Sequence, residues 1–286
     1  MQKILLVILF LCQLFYLSVE AEDSKILATG GVSQIEGSAG GGIVPWAVIT
    51  GYAQEGEWGA IVFSTLVKTD DFSLTAFGAA IGYGNRFEFS IAKQSFDLGR
   101  LQTQLGLPSN QLQQNIFGIK VKLIGDLIYG SLPQISFGIQ HKELVDFSIP
   151  SIAGASDDKG DDFYLSASKL WLTGIQGYPI LASLTIRSTK ANQIGLLGFG
   201  GDINDSREAV VEINTSLLIS RNWVLGYEYR QKPDNLNFAS EDDWQDIYLA
   251  WFYDKSISAT LAYVDLGSVA SLEKQQGFYI SMQATF

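Results

Sequence analysis

The sequence predicts an all-β protein, a transmembrane antiparallel β-barrel, and three observations carry that expectation. Over Gly277–Phe286 apolar and polar side chains alternate: Phe278, Ile280, Met282, Ala284 and Phe286 are separated by Tyr279, Ser281, Gln283 and Thr285. Segments of about ten residues with a similar pattern, the length a tilted strand needs to cross hydrocarbon, recur along the chain. The connectors between them fall into a short and a long class that largely alternate, an asymmetry typical of such barrels.

The chain of 286 residues opens on what reads as an export signal, Met1–Ala21. Lys3 precedes an apolar run from Ile4 to about Val19, and Val19-Glu20-Ala21 offers a cleavage site after Ala21. The single cysteine, Cys12, lies inside this segment, so residues 22–286 can form neither disulfides nor thiolate metal sites. No helix-length apolar run follows, so a membrane span must be built from strands. Only a closed barrel leaves no strand-edge N–H or C=O in lipid. The net charge of −11 argues against a nucleic-acid partner. Residues 22–286 are expected to form one barrel domain.

From the N-terminal side, the expected strands are Ile43–Ala53, Trp58–Val67, Phe72–Tyr83, Arg86–Phe96, Ile116–Ile124, Ile135–Glu143 and Asp162–Trp171. They continue with Tyr178–Arg187, Glu208–Ser220, Asn222–Gln231, Trp244–Tyr253, Ser256–Asp265 and Gln276–Phe286. That set is odd, whereas single-chain bacterial barrels have an even number of strands. A Gly-interrupted first strand within Lys25–Glu36 would give fourteen strands, the favoured count. The alternative is twelve strands with Lys25–Gly42 inside the lumen as a plug. If Phe286 ends in the periplasm, Gly84-Asn85, Arg221, Asp254-Lys255 and Gln54–Glu57 are inner turns. Asp97–Asn115, Leu144–Asp161, Ser188–Arg207, Asn235–Asp243 and Leu266–Lys274 are then outer loops. Lys68–Asp71 is short for an outer loop and Gly125–Gln134 long for an inner turn.

Alternation assigns faces. Phe87, Phe89, Ile91, Phe117, Ile119, Val121 and Leu123 face lipid. Turned inward are Arg86, Glu88, Lys120 and Lys122, with Arg187, Glu212, Glu228, Arg230 and Asp246 on later strands. These are the candidate pore-lining residues, because an Arg or Lys facing lipid at mid-depth costs about 2–4 kcal/mol. In Asp162–Trp171 the phase that puts Phe163, Leu165 and Ala167 outside also puts Lys169 there, which calls for a bulge or for snorkelling. The six tryptophans, Trp46, Trp58, Trp171, Trp223, Trp244 and Trp251, sit mainly near expected strand ends, where a membrane interface would hold them. Within Asp97–Asn115, the spacing of Leu98, Leu101 and Leu105 suits a short amphipathic helix. This loop could fold inward and set Arg100 against Glu88, Lys120 and Lys122 as a constriction, or cap the barrel from outside.

No catalytic residue is expected. His141 is the only histidine, no Gly-x-Ser-x-Gly elbow is present, and no serine lies beside it. Acid runs such as Asp157-Asp158-Lys159-Gly160-Asp161-Asp162 and Glu241-Asp242-Asp243 lack the spacing of a dedicated calcium loop. Neither a metal nor another cofactor is therefore expected.

A strand ending on a terminal Phe is similar to the closing strand of Gram-negative outer-membrane barrels. That resemblance implies a role for Phe286 as the signal read by the barrel-insertion machinery, and a surrounding of outer-membrane lipid and lipopolysaccharide. Inward folding of the loop at Asp97–Asn115 is also what a resemblance to porins implies. Ala28–Trp46, ATGGVSQIEGSAGGGIVPW, resembles the opening of an uncharacterised outer-membrane family known only as a domain of unknown function. The likeness runs over the rest of the chain, including Gly125-Asp126 before Pro133-Gln134, and carries over no functional residue. A fainter one links Gly138–Lys169 to barrels associated with exopolysaccharide production. The expected function is a porin-like outer-membrane channel for passive diffusion of small hydrophilic solutes. The alternative is a structural or assembly barrel with a filled lumen, linked to surface polysaccharide.

Overall fold

A computed structural model describes residues 26–286, so the expected export signal Met1–Ala21 lies outside the described residues. Strands β1 (Val32–Ser33) and β2 (Ala39–Gly40) pair as a two-residue ladder within the N-terminal segment. Then come β3 (Trp58–Thr69), β4 (Ser73–Tyr83), β5 (Phe87–Asp97), helix α1 (Arg100–Leu105), β6 (Gln111–Ile124) and β7 (Gln134–Leu144). Helix α2 (Ser148–Ile152) and β8 (Ala155–Asp157) precede β9 (Lys159–Ile175), β10 (Tyr178–Thr189) and β11 (Phe199–Gly201). The chain finishes with β12 (Glu208–Leu218), β13 (Trp223–Arg230), β14 (Trp244–Phe252), β15 (Ile257–Asp265) and β16 (Gln276–Thr285). Twelve of these close into an antiparallel barrel, with β16 pairing β3 from Gly277↔Thr69 to Thr285↔Ile61. Phe286 continues the seam through two backbone bonds with Ala60, of 2.8 and 2.9 Å. β8 and β11 form a separate ladder.

The favoured count of fourteen is thus corrected to twelve. Neither the described part of Lys25–Glu36, from Ile26, nor Ile43–Ala53 is a barrel strand, and residues 28–51 are buried throughout. Local chemistry explains why. Gly31, Gly37 and Gly51 adopt φ of 72°, 100° and 74°, which no extended ladder accommodates. Pro45 lacks the N–H that a central strand needs. Both edges where an extra strand would add are already paired to each other by β3 and β16.

The barrel exterior is an apolar band. Phe89, Ile91, Phe117, Ile119, Leu165, Ile247, Leu261 and Ile280 all point outward and are exposed. Around the end that carries Trp58 and Phe286, here called the terminal end, runs an aromatic girdle. Trp58 packs on Tyr83 at 4.5 Å, Trp223 on Trp251 at 6.2 Å, and Trp251 on Tyr253 at 5.8 Å. Trp46 and Trp244, expected at an interface, are instead buried inside the barrel. The opposite end carries the long loops. Tight hairpins close the terminal end: Gln176-Gly177 is a two-residue connection and Gly84-Asn85 are the central residues of the turn closed by Arg86 N–H on the Tyr83 carbonyl, all four at positive φ as the centre of a type I′ turn requires.

Two irregularities in the sequence resolve each other. Lys169 does lie on the outward phase, yet it is almost fully buried. Its ammonium donates to the carbonyls of Asp126, Tyr129 and Gly130 at 3.1, 3.2 and 2.9 Å. The connector 125–133, long for a turn at this end, folds over β9 to supply that carbonyl cage. A cation on the lipid face is thereby removed from hydrocarbon without a register shift.

The inward and outward phases make a sharp prediction. Ile119→Arg, one residue from the buried Lys120, should destabilise the barrel by about 2–4 kcal/mol in denaturant unfolding from lipid vesicles. An unchanged midpoint would contradict the assigned face.

Candidate functional site

Buried charge among the described residues gathers mainly in the lumen, and the N-terminal segment fills it. Glu88, Lys120, Arg187, Glu212, Glu228, Arg230 and Asp246 lie on the inward phase of β5, β6, β10 and β12–β14 and are at most 3% exposed. The remaining three candidate residues are placed otherwise. Arg86 is exposed in the hairpin between β4 and β5, and Lys122 is half-buried at the terminal rim. Arg100 is exposed on α1 and pairs with Asp71 at 2.7 Å, so it does not face Glu88, Lys120 and Lys122. Helix α1 does form, with Leu101 buried, but its loop caps the barrel end instead of narrowing the lumen.

An irregular backbone buried this deeply needs hydrogen-bond partners, and the two-residue β1–β2 ladder and local turns supply only some of them. Wall side chains supply others. The first group holds the turn after β2. Lys120 pairs with Glu88 at 3.1 Å and donates to the carbonyls of Ala39 and Val48, both at 2.9 Å. Glu88 in turn accepts the N–H groups of Ala39 and Thr50 at 3.1 and 2.8 Å. A second, neutral group holds Pro45 and Ala47. Gln134 and Ser136 donate to the Ala47 carbonyl at 2.6 and 2.5 Å, and Thr185 to that of Pro45 at 2.9 Å.

The third group surrounds Glu36, which belongs to the N-terminal segment and is fully buried. Arg230 grips it with both terminal nitrogens, at 2.8 and 3.2 Å, Lys142 makes a very short contact, and Arg187 stands 3.6 Å away. Asp162 accepts from Lys142 at 2.7 Å, and Glu212 from Arg187 at 2.5 Å. Three cations thus meet three carboxylates, and the segment contributes the carboxylate that makes the group neutral. In the fourth group, Glu228 accepts the N–H of Ile43 at 2.8 Å. Its carboxylate sits so close to the backbone that a Cβ on Gly41 would lie 1.8 Å from Oε1. Glycine is required there by contact, not only by flexibility.

From the loop end, a second segment enters. Residues 191–199, between β10 and β12, are all buried. Gln193, Ile194 and Gly195 have φ of 44°, 59° and 108°, an uncommon run for two non-glycine residues. The Ile194 carbonyl accepts from Lys142 at 3.0 Å, tying this loop to the Glu36 group. Outside the strands, Lys232 donates to the Gln193 side chain at 3.0 Å and pairs with Glu241 at 3.2 Å. Burial lowers the Lys232 pKa and raises that of Glu241. The inward loop is therefore the fourth at this end, not the one holding Arg100. Its sequence, AlaAsnGlnIleGlyLeuLeuGlyPhe, is apolar and glycine-rich for an exposed loop, which was the available signal.

Apolar side chains complete the filling. Ile35 and Ile43 of the segment meet Val67, Phe72, Leu74, Phe96, Leu196 and Trp244 around a cavity of only about 30 Å³. That is room for about one water. The N-terminal segment and residues 191–199 together fill the lumen here. His141 stands apart, half-exposed on the outward phase of β7, with Nδ1 2.7 Å from Asp161.

The comparisons agree with this architecture. The family model for a protein of unknown function (DUF3034) matches residues 29–283, so the chain belongs to that family. A search of curated proteins finds no sequence match. Among solved structures, the KdgM porin is similar at a TM-score of 0.51 and 10% identity, covering 79% of this chain and 99% of that one. The same values hold for the KdgM porin in complex with disordered oligogalacturonate. The NanC porin matches at a TM-score of 0.47 and 11% identity, over 79% of this chain and 98% of its own. The likeness to KdgM is one of fold, a closed porin-like barrel.

The Glu36 group yields a prediction. Glu36→Gln leaves three buried cations facing two carboxylates and should cost about 3–5 kcal/mol of unfolding free energy. Denaturant titration in detergent or vesicles measures it, and a loss below about 1 kcal/mol would contradict the neutral-group account.

Proposed function

We propose that this protein is an outer-membrane channel that rests closed, and that small hydrophilic solutes cross it once the N-terminal segment leaves the lumen. One observation carries the reading: the obstruction is a terminal segment held by hydrogen bonds and ion pairs to a polar wall. The two limbs of the segment meet at the terminal end, where the Ala28 N–H donates to the Tyr52 hydroxyl at 3.2 Å, so it can withdraw there as a hairpin without threading through a loop. Charged and hydroxyl side chains released by it would then be solvated, which an apolar wall would not allow. The terminal end faces the periplasm in this reading, since the short hairpins are there and the long loops at the other end. Phe286, at the seam, is where the insertion machinery would read the strand. Lipopolysaccharide and outer-membrane lipid surround the apolar band.

A second reading is supported by the apolar contacts at the loop end. Ile35 and Ile43 pack among Phe72, Leu74, Phe96 and Trp244, and each such side chain contributes about 1.5–3 kcal/mol when fully buried. A permanently filled assembly barrel would show the same contacts.

Planar-bilayer recording separates the two. The full chain should show little conductance, and a variant lacking residues 26–50 should show stable single-channel steps. Replacing 191–199 by a short turn in that variant should raise the step size further. A deletion variant that folds, as judged by heat-modifiable gel mobility, and still conducts nothing would overturn the channel reading in favour of the filled barrel.

A further inference from the structure

The charges sealed inside the barrel do not balance, and the imbalance is local. Lys120 is matched by Glu88. Lys142, Arg187 and Arg230 are matched by Glu36, Asp162 and Glu212. Two carboxylates are left, Glu228 and Asp246, and they are directly opposite each other on β13 and β14, both on the inward face. Side chains opposite one another in a ladder have Cβ atoms about 5 Å apart, and like charges there repel. Glu228 is 0% and Asp246 3% exposed. Both Asp246 oxygens and Oε1 of Glu228 have no hydrogen-bond partner in the protein.

A third oxygen-bearing side chain packs close to Glu228. Tyr279, on β16, is 1% exposed; its hydroxyl makes no hydrogen bond of normal length, and the hydroxyls of Ser281 and Thr65 lie near it. Its ring and the Glu228 carboxylate press on the same point of Gly42: a Cβ built there would meet Tyr279 Cζ at 3.3 Å and Glu228 Oε2 at 3.4 Å. Gly41 and Gly42 therefore line this pocket of oxygens from the segment side. Two carboxylates and a hydroxyl, with no nitrogen or sulfur donor, suit a hard cation, and two negative charges match a divalent one.

We propose that Glu228 and Asp246, with Tyr279, bind a divalent cation of the calcium type inside the barrel, and that this ion fixes the N-terminal segment. The link to the segment is Glu228. One of its oxygens goes to the ion, while the other receives the Ile43 N–H at 2.8 Å. With the ion in place the carboxylate is aimed at the 41–43 backbone. Without it, the two acids push apart and the segment loses that anchor. This site is independent of whether the barrel conducts.

The test uses the full chain, refolded in detergent with Ca²⁺ or with a chelator and then gel-filtered into metal-free buffer. Elemental mass spectrometry should find one calcium retained per chain after refolding with Ca²⁺, and the thermal midpoint of that sample should exceed that of the chelator sample. Asp246→Asn should lose both the retained calcium and the shift. Tyr279→Phe, which keeps the ring and removes only the hydroxyl, should retain less calcium. Asp157→Asn and Asp205→Asn, on the exposed loops, should behave like the parent chain. A folded parent chain with no retained calcium would overturn the proposal and leave a shared proton as the means of neutralising the pair. Equal retention by Asp246→Asn would overturn it too, moving the ion to the loops.

Discussion

The structure depends on one constraint: a buried backbone without regular secondary structure must find its hydrogen bonds elsewhere. Residues 28–51 fill the lumen mostly as turns and bends, so the N–H and C=O groups that the short β1–β2 ladder and local turns leave unpaired go to the wall. Glu88 and Lys120 serve residues 39, 48 and 50, Gln134 and Ser136 serve residue 47, and Thr185 serves residue 45. An unsatisfied group in this place costs about 1–3 kcal/mol, so the polar wall and the irregular segment specify one another. Charge neutrality follows from the same constraint. Glu36 can be buried only because Lys142, Arg187 and Arg230 converge on it, and these three can be buried only with Glu36, Asp162 and Glu212 present.

The barrel wall was legible in the sequence because its two faces have different solvents. Lipid outside and a packed lumen inside impose a period of two on each strand, and a charge on the wrong face is costly. The faces assigned around Phe87–Ile91, Phe117–Leu123 and Leu225–Arg230 follow directly from that. Twelve expected segments are strands at similar positions. Their ends moved most where strands run beyond the bilayer, as in β9, which spans Lys159–Ile175. Such extensions are hydrogen-bonded but not lipid-facing, so no alternation marks them.

What could not be read was the filling. The segment 28–51 has neither strand nor helix periodicity, and Ile43–Ala53, a mostly apolar stretch that fits either phase, imitates a strand by composition and length alone. Its irregularity is dictated by contacts with residues more than a hundred positions away, such as Gly41 against Glu228. The resemblance to porins and the leucine spacing point to the loop holding Arg100 as the constriction. That spacing correctly signals a short helix, but it is satisfied by Leu98 and Leu101 packing at the barrel end. Leu196 and Leu197, in the loop that does enter, carry no period at all. Their apolar character was the only trace. Lys169 shows the converse: the odd charge was visible, while the carbonyl cage that shelters it depends on a connector that only the folded chain brings near.

Hydrogen–deuterium exchange of the full chain in lipid nanodiscs, resolved by residue, tests the central claim most directly. If the N-terminal segment is locked into the lumen, the amides of Ala39, Ile43, Ala47 and Thr50 will be protected on the timescale of the β3 and β16 strands. Exchange of these four within seconds, while the barrel strands stay protected, would contradict the account.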